Sequence, residues 1–415
     1  MSKIIFVNRY FYPDLSATSQ MLSDLAFALA DSGIKVCVVT SRQSYENPRD
    51  SLAACEIHAG VEIYRVATTR FGRSNLLGRA LDYLSFYVSS FITLLRIVRR
   101  DDVVVAKTDP PLISVIAWVV ARVKGARLVN WLQDVFPEVA MALGVLKWRP
   151  LVDSIRWLRN VSLRGAEMNV VLGERMQDLV CQQGVAREKT VIIHNWADGE
   201  LIRPVDMGSN GLRMAWGLTE RFVVGYSGNM GRAHEFDTIV KAMDVLKDDV
   251  SIVFLFIGGG AGKEKLGVAI KDLGLSNVQF KPYQPREQLA ESLSVPDIHL
   301  VSLQPQLEGL IVPSKVYGIA AAGRPVAFVG DPEGEVGRMV SRCGFGFTVS
   351  VGAWQELADR LRELARKRDI LVRMGAEGRS CFDKKFSESR AISAWSQLLG
   401  KISAQVSDQS DNEAA

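Results

Sequence analysis

The sequence is poor in the residues that build metal and zinc sites. It has four histidines, which lie far apart in the chain. Its five cysteines are odd in number, are scattered and contain no CxxC pair; they are Cys37, Cys55, Cys181, Cys343 and Cys381. This cysteine pattern is typical of a reducing compartment and predicts no structural zinc. We therefore expect neither a metal cluster nor a metal cofactor.

Long apolar runs and a strong net charge are absent as well. The longest uncharged apolar stretches, residues 83–95 and 110–121, are shorter than the ~20 residues that a membrane-spanning helix needs. The amino terminus leads directly into a short apolar strand at Ile4–Val7, so no signal peptide is predicted. A net charge of +4 does not by itself indicate nucleic-acid binding. We expect a chain that does not cross a membrane and does not bind nucleic acid.

The composition that is present predicts a globular protein of two domains. The chain has 415 residues, 48% of them hydrophobic and 23% charged. Short apolar strands alternate with helices in both halves, as in strand Ile4–Asn8 before a helix near Ser19–Ser32, and strand Phe222–Ser227 before a helix from Glu235. Strands separated by helices indicate βαβ units and a parallel sheet in each half.

Turn residues between positions 197 and 211 interrupt this pattern and mark the domain boundary. We predict an N-terminal domain at 1–200, a C-terminal domain at 201–385, a helix at 386–402 that returns to the N-terminal domain, and a polar, disordered tail at 403–415. Two doubly wound domains that face each other would place both ligand sites on one interdomain cleft. This arrangement favours a transferase with two substrates.

The segment Glu308–Val326 carries the most functional information. Ser314 is a candidate N-cap, and Lys315 lies in the first helical turn, where a cation is unfavourable unless an anion is present. Free backbone amides and a lysine at a helix start predict a phosphate site. The alternative is an ordinary capped helix with a solvated lysine.

Two glycine-rich turns follow strands of the same half. Gly228-Asn229-Met230-Gly231-Arg232 could admit a diphosphate close to the backbone, with Arg232 or His234 neutralising its charge. The second turn, Gly258-Gly259-Gly260, lacks the remaining spacing of a dinucleotide fingerprint. A nicotinamide dehydrogenase is therefore disfavoured.

Polar residues also end strands of the first half. Asp134 could orient or deprotonate an acceptor hydroxyl, or could be a helix N-cap near Val135. Lys107 and Asp109 end a neighbouring strand and could contact an acceptor phosphate, although Asp109 is equally explained by a solvated loop. His194 is typical of a strand-end histidine rather than of a catalyst.

These motifs together resemble the retaining glycosyltransferases of family four, which have the GT-B fold. The resemblance extends to about Leu399, and it is to a branch that acts in colanic acid synthesis and fucosamine transfer. The matching segments are Phe11–Asp14, Trp131–Glu138, His194-Asn195, Gly228–Gly231 and Val312–Val326. The resemblance implies an α/β fold of two doubly wound Rossmann-like domains that face an interdomain cleft.

The resemblance also implies that the C-terminal domain binds a nucleotide sugar and that the N-terminal domain binds the acceptor, without a cofactor or metal. Implied catalytic residues are Asp134, Lys315 and His234. Implied donor contacts are Gly228, Asn229, Gly231, Arg232, Gly258, Gly259, Gln284, Glu308, Ser314, Lys315, Val316 and Glu335. Implied acceptor contacts are Ser16, Ala17, Thr18, Lys107, Asp109 and Glu138.

Two positions depart from the family pattern. Many relatives have an arginine and a lysine in the glycine loop, where this chain has Asn229 and His234. Many also have a glutamate at the position of Gly318 to hold the donor ribose; here Glu308 or Glu335 is expected to replace it.

Aromatic and basic residues in the first half predict contact with the inner face of the cell membrane. The first segment contains Tyr83, Phe86, Tyr87, Phe91, Leu94, Leu95, Arg96, Arg99 and Arg100, and the second contains Lys147, Trp148, Arg149, Arg156, Trp157, Arg159 and Arg164. Aromatics beside cations suit an anionic bilayer surface. An amphipathic core helix with a solvated basic edge is the alternative.

The expected function is retaining transfer of a hexosyl or N-acetylhexosaminyl group from a nucleotide sugar, expected to be UDP-linked. The expected acceptor is a polyprenyl-diphosphate-linked saccharide of O-antigen, capsule or exopolysaccharide synthesis. One alternative is a UDP-N-acetylglucosamine 2-epimerase of the same fold. Another is a noncatalytic scaffold of a polysaccharide assembly complex.

Overall fold

The computed structural model describes residues 2–14, 16–44, 51–72 and 76–413. The chain divides into two compact units. Unit 1 comprises Met1–His194 together with Ala391–Ala415, and unit 2 comprises Asn195–Arg390. Each unit is built around one sheet.

Unit 1 contains an eight-stranded sheet in the order β3-β4-β2-β1-β5-β6-β7-β8. Its strands are β1 Ile4–Val7, β2 Val36–Ser41, β3 Cys55–His58, β4 Val61–Val66, β5 Val103–Lys107, β6 Arg127–Trp131, β7 Met168–Val171 and β8 Thr190–Ile192. All neighbours are parallel except the edge pair β3 and β4. The sequence analysis does not predict β3, because this strand has no buried residue and so lacks a continuous apolar run.

Six helices and part of a seventh surround this sheet. They are α1 Ala17–Asp31, α2 Leu76–Ile97, α3 Ile113–Lys124, α4 Glu138–Ala142, α5 Arg149–Gly165, α6 Glu174–Gln182 and α15 Glu388–Glu413. Helix α3 packs between α2 and α5. From Ala391 onward α15 belongs to unit 1, where Trp395 packs on Trp131 with ring centroids 4.7 Å apart. Helix α15 continues past residue 402, where the sequence analysis places a disordered tail.

Unit 2 contains a fully parallel six-stranded sheet in the order β11-β10-β9-β12-β13-β14. Its strands are β9 Phe222–Ser227, β10 Ile252–Ile257, β11 Val278–Lys281, β12 Ile298–Ser302, β13 Val326–Val329 and β14 Gly346–Val349. Its helices are α7 Gly211–Ala215, α8 Asp237–Val245, α9 Lys263–Asp272, α10 Leu289–Ser294, α11 Lys315–Ala321, α12 Glu335–Cys343, α13 Trp354–Arg366 and α14 Arg368–Lys385. The predicted alternation of buried strands and helices is therefore correct in both halves.

The strand orders locate one topological switch point in each sheet. In unit 1 the order reverses between β1 and β5, and in unit 2 it reverses between β9 and β12. Ligands of doubly wound sheets bind outside the carboxyl ends of the strands at such a point. The residues that follow β1, β5, β9 and β12 are therefore the first candidates for function.

Cys343 and Cys381 form a disulfide, a pairing that the sequence analysis does not predict. The end of α12 and the middle of α14 bring their Cα atoms to 5.9 Å although 38 residues separate them. Spacing along the chain could not show this pairing, because it depends on how two helices pack.

Helix α2 is apolar over most of its length. Residues Leu77–Ile97 are long and apolar enough to cross a membrane by length and composition. Phe86, Ser90 and Leu94 of this helix are nevertheless fully buried in unit 1. One face of α2 thus belongs to the core of the unit.

Candidate functional site

In unit 2 the two glycine-rich turns meet at the switch point. The Gly228 amide donates to the Ile257 carbonyl at 2.9 Å, and the Met230 amide donates to the Gly259 carbonyl at 2.6 Å. Gly258 has φ 129°, and a Cβ there would clash with the Gly228 carbonyl. Position 258 must be glycine for both reasons, since the two turns could not otherwise approach each other.

Lys315 extends from the start of α11 to this pair of turns. Its Nζ lies 3.5 Å from the ring centroid of Tyr226 and 3.8 Å from the position that a Cβ on Gly228 would occupy. This Nζ is buried and has no hydrogen-bond partner in the described part of the chain. Burial holds the pKa of Lys315 well below the usual value of a lysine. The alternative of a solvated lysine is therefore wrong.

The neighbours of Lys315 differ in their surroundings. Ser314 is exposed and its side chain does not cap α11, whereas Val316 is fully buried in the core. Because α11 has only seven residues, its dipole is weak. The lysine side chain is thus the main source of positive charge at this point.

His234 is a neutral neighbour of this lysine. Its Nδ1 is 2.7 Å from the Ser302 carbonyl oxygen at the end of β12. Burial, and next the charge of Lys315, lower the pKa of His234 to about 4. At neutral pH the imidazole is therefore uncharged and suits a hydrogen bond better than charge neutralisation. Asn229 and Arg232 are exposed beside it.

The predicted ribose contacts, Glu308 and Glu335, are hydrogen-bonded to each other at the start of α12. Glu308 Oε1 accepts a hydrogen bond from the Glu335 amide at 2.8 Å and from the Gly309 amide at 3.2 Å. Glu308 thus caps the first turn of α12, and burial raises the pKa of its carboxyl group. Gln284 donates through Nε2 to the Pro282 carbonyl at 2.9 Å.

Tyr283 is a site residue that the sequence analysis missed. Its ring lies 3.1 Å from the Cβ position of Gly258 and 3.6 Å from that of Gly259, and the residue is 60% exposed. It comes just after β11, at the same edge of the sheet as the glycine turns. An aromatic residue two positions after a short strand was the available indication. Tyr283, Gly258, Gly228 and Lys315 form one continuous row.

In unit 1, Asp134 lies at the carboxyl end of β6 beside a cavity of about 30 Å³. The hydroxyl of Thr108 donates to its carboxylate, while Oδ1 has no partner among the residues that the structure describes. Burial, and next the carboxylate of Asp109, raise the pKa of Asp134 to about 7. Helix α4 begins only at Glu138 with Pro137 as its N-cap, so the alternative of a helix-capping Asp134 is wrong.

Lys107 is not open to solvent. It is 1% exposed, its Nζ donates to the Thr18 carbonyl at 2.8 Å, and it lies 3.7 Å from the centroid of Trp131. Burial lowers its pKa well below the usual value. The predicted contact between Lys107 and an acceptor phosphate conflicts with this burial, because the ammonium is enclosed between α1 and β6.

The remaining predicted acceptor residues lie at the same edge. The Ser16 amide donates to Asp14 at 2.8 Å, and Ala17 and Thr18 begin α1. Glu138 accepts from Arg156 at 2.9 Å and from Arg159 at 3.0 and 3.1 Å, so it joins α4 to α5. His194 has the predicted environment, with Nδ1 2.8 Å from the Leu172 carbonyl.

The apolar surface of α2 differs from the predicted one. Phe86 and Leu94 are in the core, and the exposed face contains Leu77, Leu81, Leu84, Val88 and Ile92. A second exposed set on α4, α5 and the segment between them contains Met141, Val145, Trp148, Leu151, Trp157 and Leu158. The two sets lie on helices that each pack with or stand next to α3.

Both units match known protein families. Residues 17–196 match the family described as Glycosyl transferase 4-like domain, and residues 213–380 match Glycosyl transferases group 1. The chain belongs to glycosyltransferase family four. WcaI of Escherichia coli K12, named for colanic acid biosynthesis glycosyl transfer, is 24% identical over 348 residues, which are 81% of this chain and 85% of that protein. WbjE of Pseudomonas aeruginosa, named as a glycosyltransferase, is 27% identical over 326 residues, 77% of this chain and 80% of that protein.

Solved structures of this family confirm the GT-B fold. Anabaena HepE in complex with UDP matches with a TM-score of 0.73 at 16% identity, covering 96% of this chain and all of that one (100%). Sucrose-phosphate synthase of Thermosynechococcus elongatus matches with a TM-score of 0.78 at 15% identity, covering 98% of this chain and 100% of that one. The chain is thus a glycosyltransferase distantly related to polysaccharide biosynthesis enzymes.

Proposed function

We propose that the chain transfers a sugar from a UDP-sugar, with retention at the anomeric carbon, to a polyprenyl-diphosphate-linked saccharide. The observation that carries this proposal is the unpaired, buried ammonium of Lys315 against the Gly228 turn. A buried cation without an acceptor is costly, and a diphosphate supplies the missing acceptor oxygens. The family membership and the UDP named for HepE support the choice of donor.

The order of groups from Tyr283 to Lys315 matches the order of base and phosphates in a nucleoside diphosphate. The nucleobase would stack on the exposed ring of Tyr283, and the diphosphate would cross Gly258 and Gly228 to reach Lys315. The glycines leave space for the phosphates because no Cβ projects there. His234, uncharged, would hydrogen-bond a sugar hydroxyl or a phosphate oxygen.

The chemical step separates the anomeric carbon from the diphosphate and joins it to an acceptor oxygen. Lys315 would stabilise the charge that develops on the leaving diphosphate, so no metal is needed for that purpose. Asp134, with a pKa of about 7, would orient the acceptor hydroxyl or take up its proton. Ser16, Ala17, Thr18 and Asp109 remain candidate acceptor contacts.

The exposed apolar residues of α2 and α5 would rest on the inner face of the cell membrane, where a lipid-linked acceptor resides. Arg96, Arg99 and Arg100 follow the apolar face of α2, and Lys147 and Arg149 stand beside Trp148. Each cation near an anionic surface contributes about 1 kcal/mol. Co-sedimentation with vesicles should rise with the anionic lipid fraction and fall when these five residues become glutamine.

Calorimetric titration with UDP, followed by a screen of UDP-sugars against a synthetic lipid-diphosphate acceptor, tests the proposed activity. Lys315→Ala should weaken UDP binding roughly ten- to a hundredfold and abolish transfer. Lys241→Ala, which changes an exposed lysine on α8, should change neither. Equal transfer by both variants would refute the donor site. Conversion of UDP-N-acetylglucosamine without an acceptor would favour the epimerase, and absence of any UDP binding would favour the scaffold.

A further inference from the structure

A second polar cavity lies in unit 1 at the opposite edge of the sheet from Asp134. Its volume is about 680 Å³, and it is formed by the turn after α2, the end of α3, the start of β6 and the end of α5. These elements lie at the amino ends of the strands, away from the switch point. The cavity is thus separate from the candidate acceptor site of this unit.

Cations predominate around this cavity. Arg100, Arg122, Lys124 and Arg127 line it, against the two carboxylates of Asp101 and Glu167. Arg127 is paired with Glu167 at 3.1 Å. The balance of charge is therefore positive, because four cations line the cavity against two carboxylates. Part of this excess interacts with the carboxyl ends of α2, α3 and α5, which converge here.

The wall of the cavity also contains an unsatisfied donor. Trp118 of α3 lines it, and the indole Nε1 has no acceptor within the described ranges of the chain. A Cβ at position 165 would clash with this Nε1, so Gly165 leaves the space that the indole occupies. A buried N–H without an acceptor is unfavourable, and an oxygen atom that reached it would accept its hydrogen bond.

The exposed apolar face of α2 precedes the cavity along the chain. Leu84, Val88 and Ile92 are exposed along that helix, and Arg96, Arg99 and Arg100 follow them toward the cavity. An apolar face followed by clustered cations is complementary to an anionic amphiphile, in which an acyl chain is followed by a phosphate. The same cations would also hold a soluble phosphate.

We propose that this cavity binds a phosphate group, with Arg122 and Lys124 as its ligands. The phosphate belongs either to an anionic lipid head group or to a free phosphate compound. The site is independent of the proposed sugar transfer, and its occupancy would fix unit 1 at a defined place on a membrane or report the level of a soluble phosphate.

The test uses the full chain and the double variant Arg122→Gln/Lys124→Gln. The matched control is Lys35→Gln/Lys401→Gln, which removes the same charge at exposed positions of unit 1 outside the cavity. Both are made in a Lys315→Ala background, which weakens binding of diphosphate at the donor site equally in the two variants. The probes are inorganic diphosphate, short-chain phosphatidic acid below its micelle concentration, and vesicles with and without phosphatidic acid.

The cavity variant should bind short-chain phosphatidic acid or diphosphate at least about tenfold more weakly than the control variant, a loss equivalent to about 1.4 kcal/mol. A loss for phosphatidic acid and its vesicles alone identifies a lipid head group, and a loss for diphosphate alone identifies a soluble phosphate. Trp118→Phe should weaken binding of the same probe without changing the net charge of the protein. Equal behaviour of the cavity and control variants with every probe would overturn the proposal.

Discussion

Replacing Lys315 with methionine tests the candidate donor site most directly. Methionine keeps most of the length of the side chain and removes only the ammonium. In the free protein that ammonium lies over Tyr226 at 3.5 Å and has no hydrogen-bond partner in the described structure. The cation–π contact contributes roughly 0.5–2 kcal/mol, and it opposes the larger cost of burying an unpaired charge.

We therefore expect the Lys315→Met variant to be at least as stable as the wild type without ligand. The effect should depend on pH, because burial lowers the folded-state pKa of Lys315 well below the usual value of a lysine. Below that value the folded wild type must either keep the charge in an unfavourable place or release a proton, and both cost free energy. The gain in melting temperature should thus be present at neutral pH and vanish as the pH rises above about 10.4.

UDP should reverse this order of stability. One charge-assisted hydrogen bond contributes roughly 1.5–3 kcal/mol, so the variant should bind UDP roughly ten- to a hundredfold more weakly. Binding to the wild type should also take up protons, since a diphosphate raises the pKa of Lys315. Calorimetry in buffers of different ionisation enthalpy measures both effects. Wild-type affinity in the variant, or no proton uptake in the wild type, would refute the assignment of Lys315 to a diphosphate.

Three further predictions concern individual side chains. If Asp134 acts as a base, the rate of transfer should decline as the pH falls through about 7, where its carboxylate becomes protonated. Asp134→Asn should transfer slowly at every pH while binding UDP normally. A wild-type rate that is constant from pH 5 to 9 would exclude this role. Glu308→Ala should lower the stability of unit 2 by about 1 kcal/mol, because the α12 cap is lost, and should leave UDP affinity unchanged. Thermal melts and titrations measure both. A selective loss of affinity for UDP relative to free diphosphate would instead show that Glu308 contacts the ribose. His234→Gln should keep a large part of UDP affinity at neutral pH, because the imidazole is already uncharged there; a loss equal to that of Lys315→Met would contradict this.

The sequence was sufficient for features that depend on local pattern. Most strands of the two sheets are continuous apolar runs, and parallel strands bring their carboxyl ends to one edge. For this reason Gly228, Gly258 and Lys315 could be grouped before their positions were known. The similarity to glycosyltransferases came from the family resemblance, because the spacing of residues alone does not indicate that activity.

Features that depend on packing were not predictable in the same way. Both sides of α2 are apolar, so periodicity could not decide whether Phe86 or Leu84 faces the core. Lys107 and Glu308 look like free charged groups in the sequence, but they are held by the Thr18 carbonyl and by the Glu335 amide, respectively. Tyr283 could not be predicted as a site residue, because its position depends on the neighbouring turn that contains Gly258.

The composition of unit 1 from both ends of the chain has a consequence for synthesis on the ribosome. Trp131 and Lys107 are translated before unit 2, whereas Trp395, which packs on the Trp131 ring, is translated after it. Unit 2 can complete its sheet in the interval, because all of its strands lie between residues 222 and 349. A nascent chain released before residue 395 would therefore carry a finished unit 2 and an uncovered apolar patch on unit 1. Such a patch is a binding site for chaperones and a cause of aggregation, so shortening of the C-terminus should reduce the yield of folded protein more than an equal change in a surface loop.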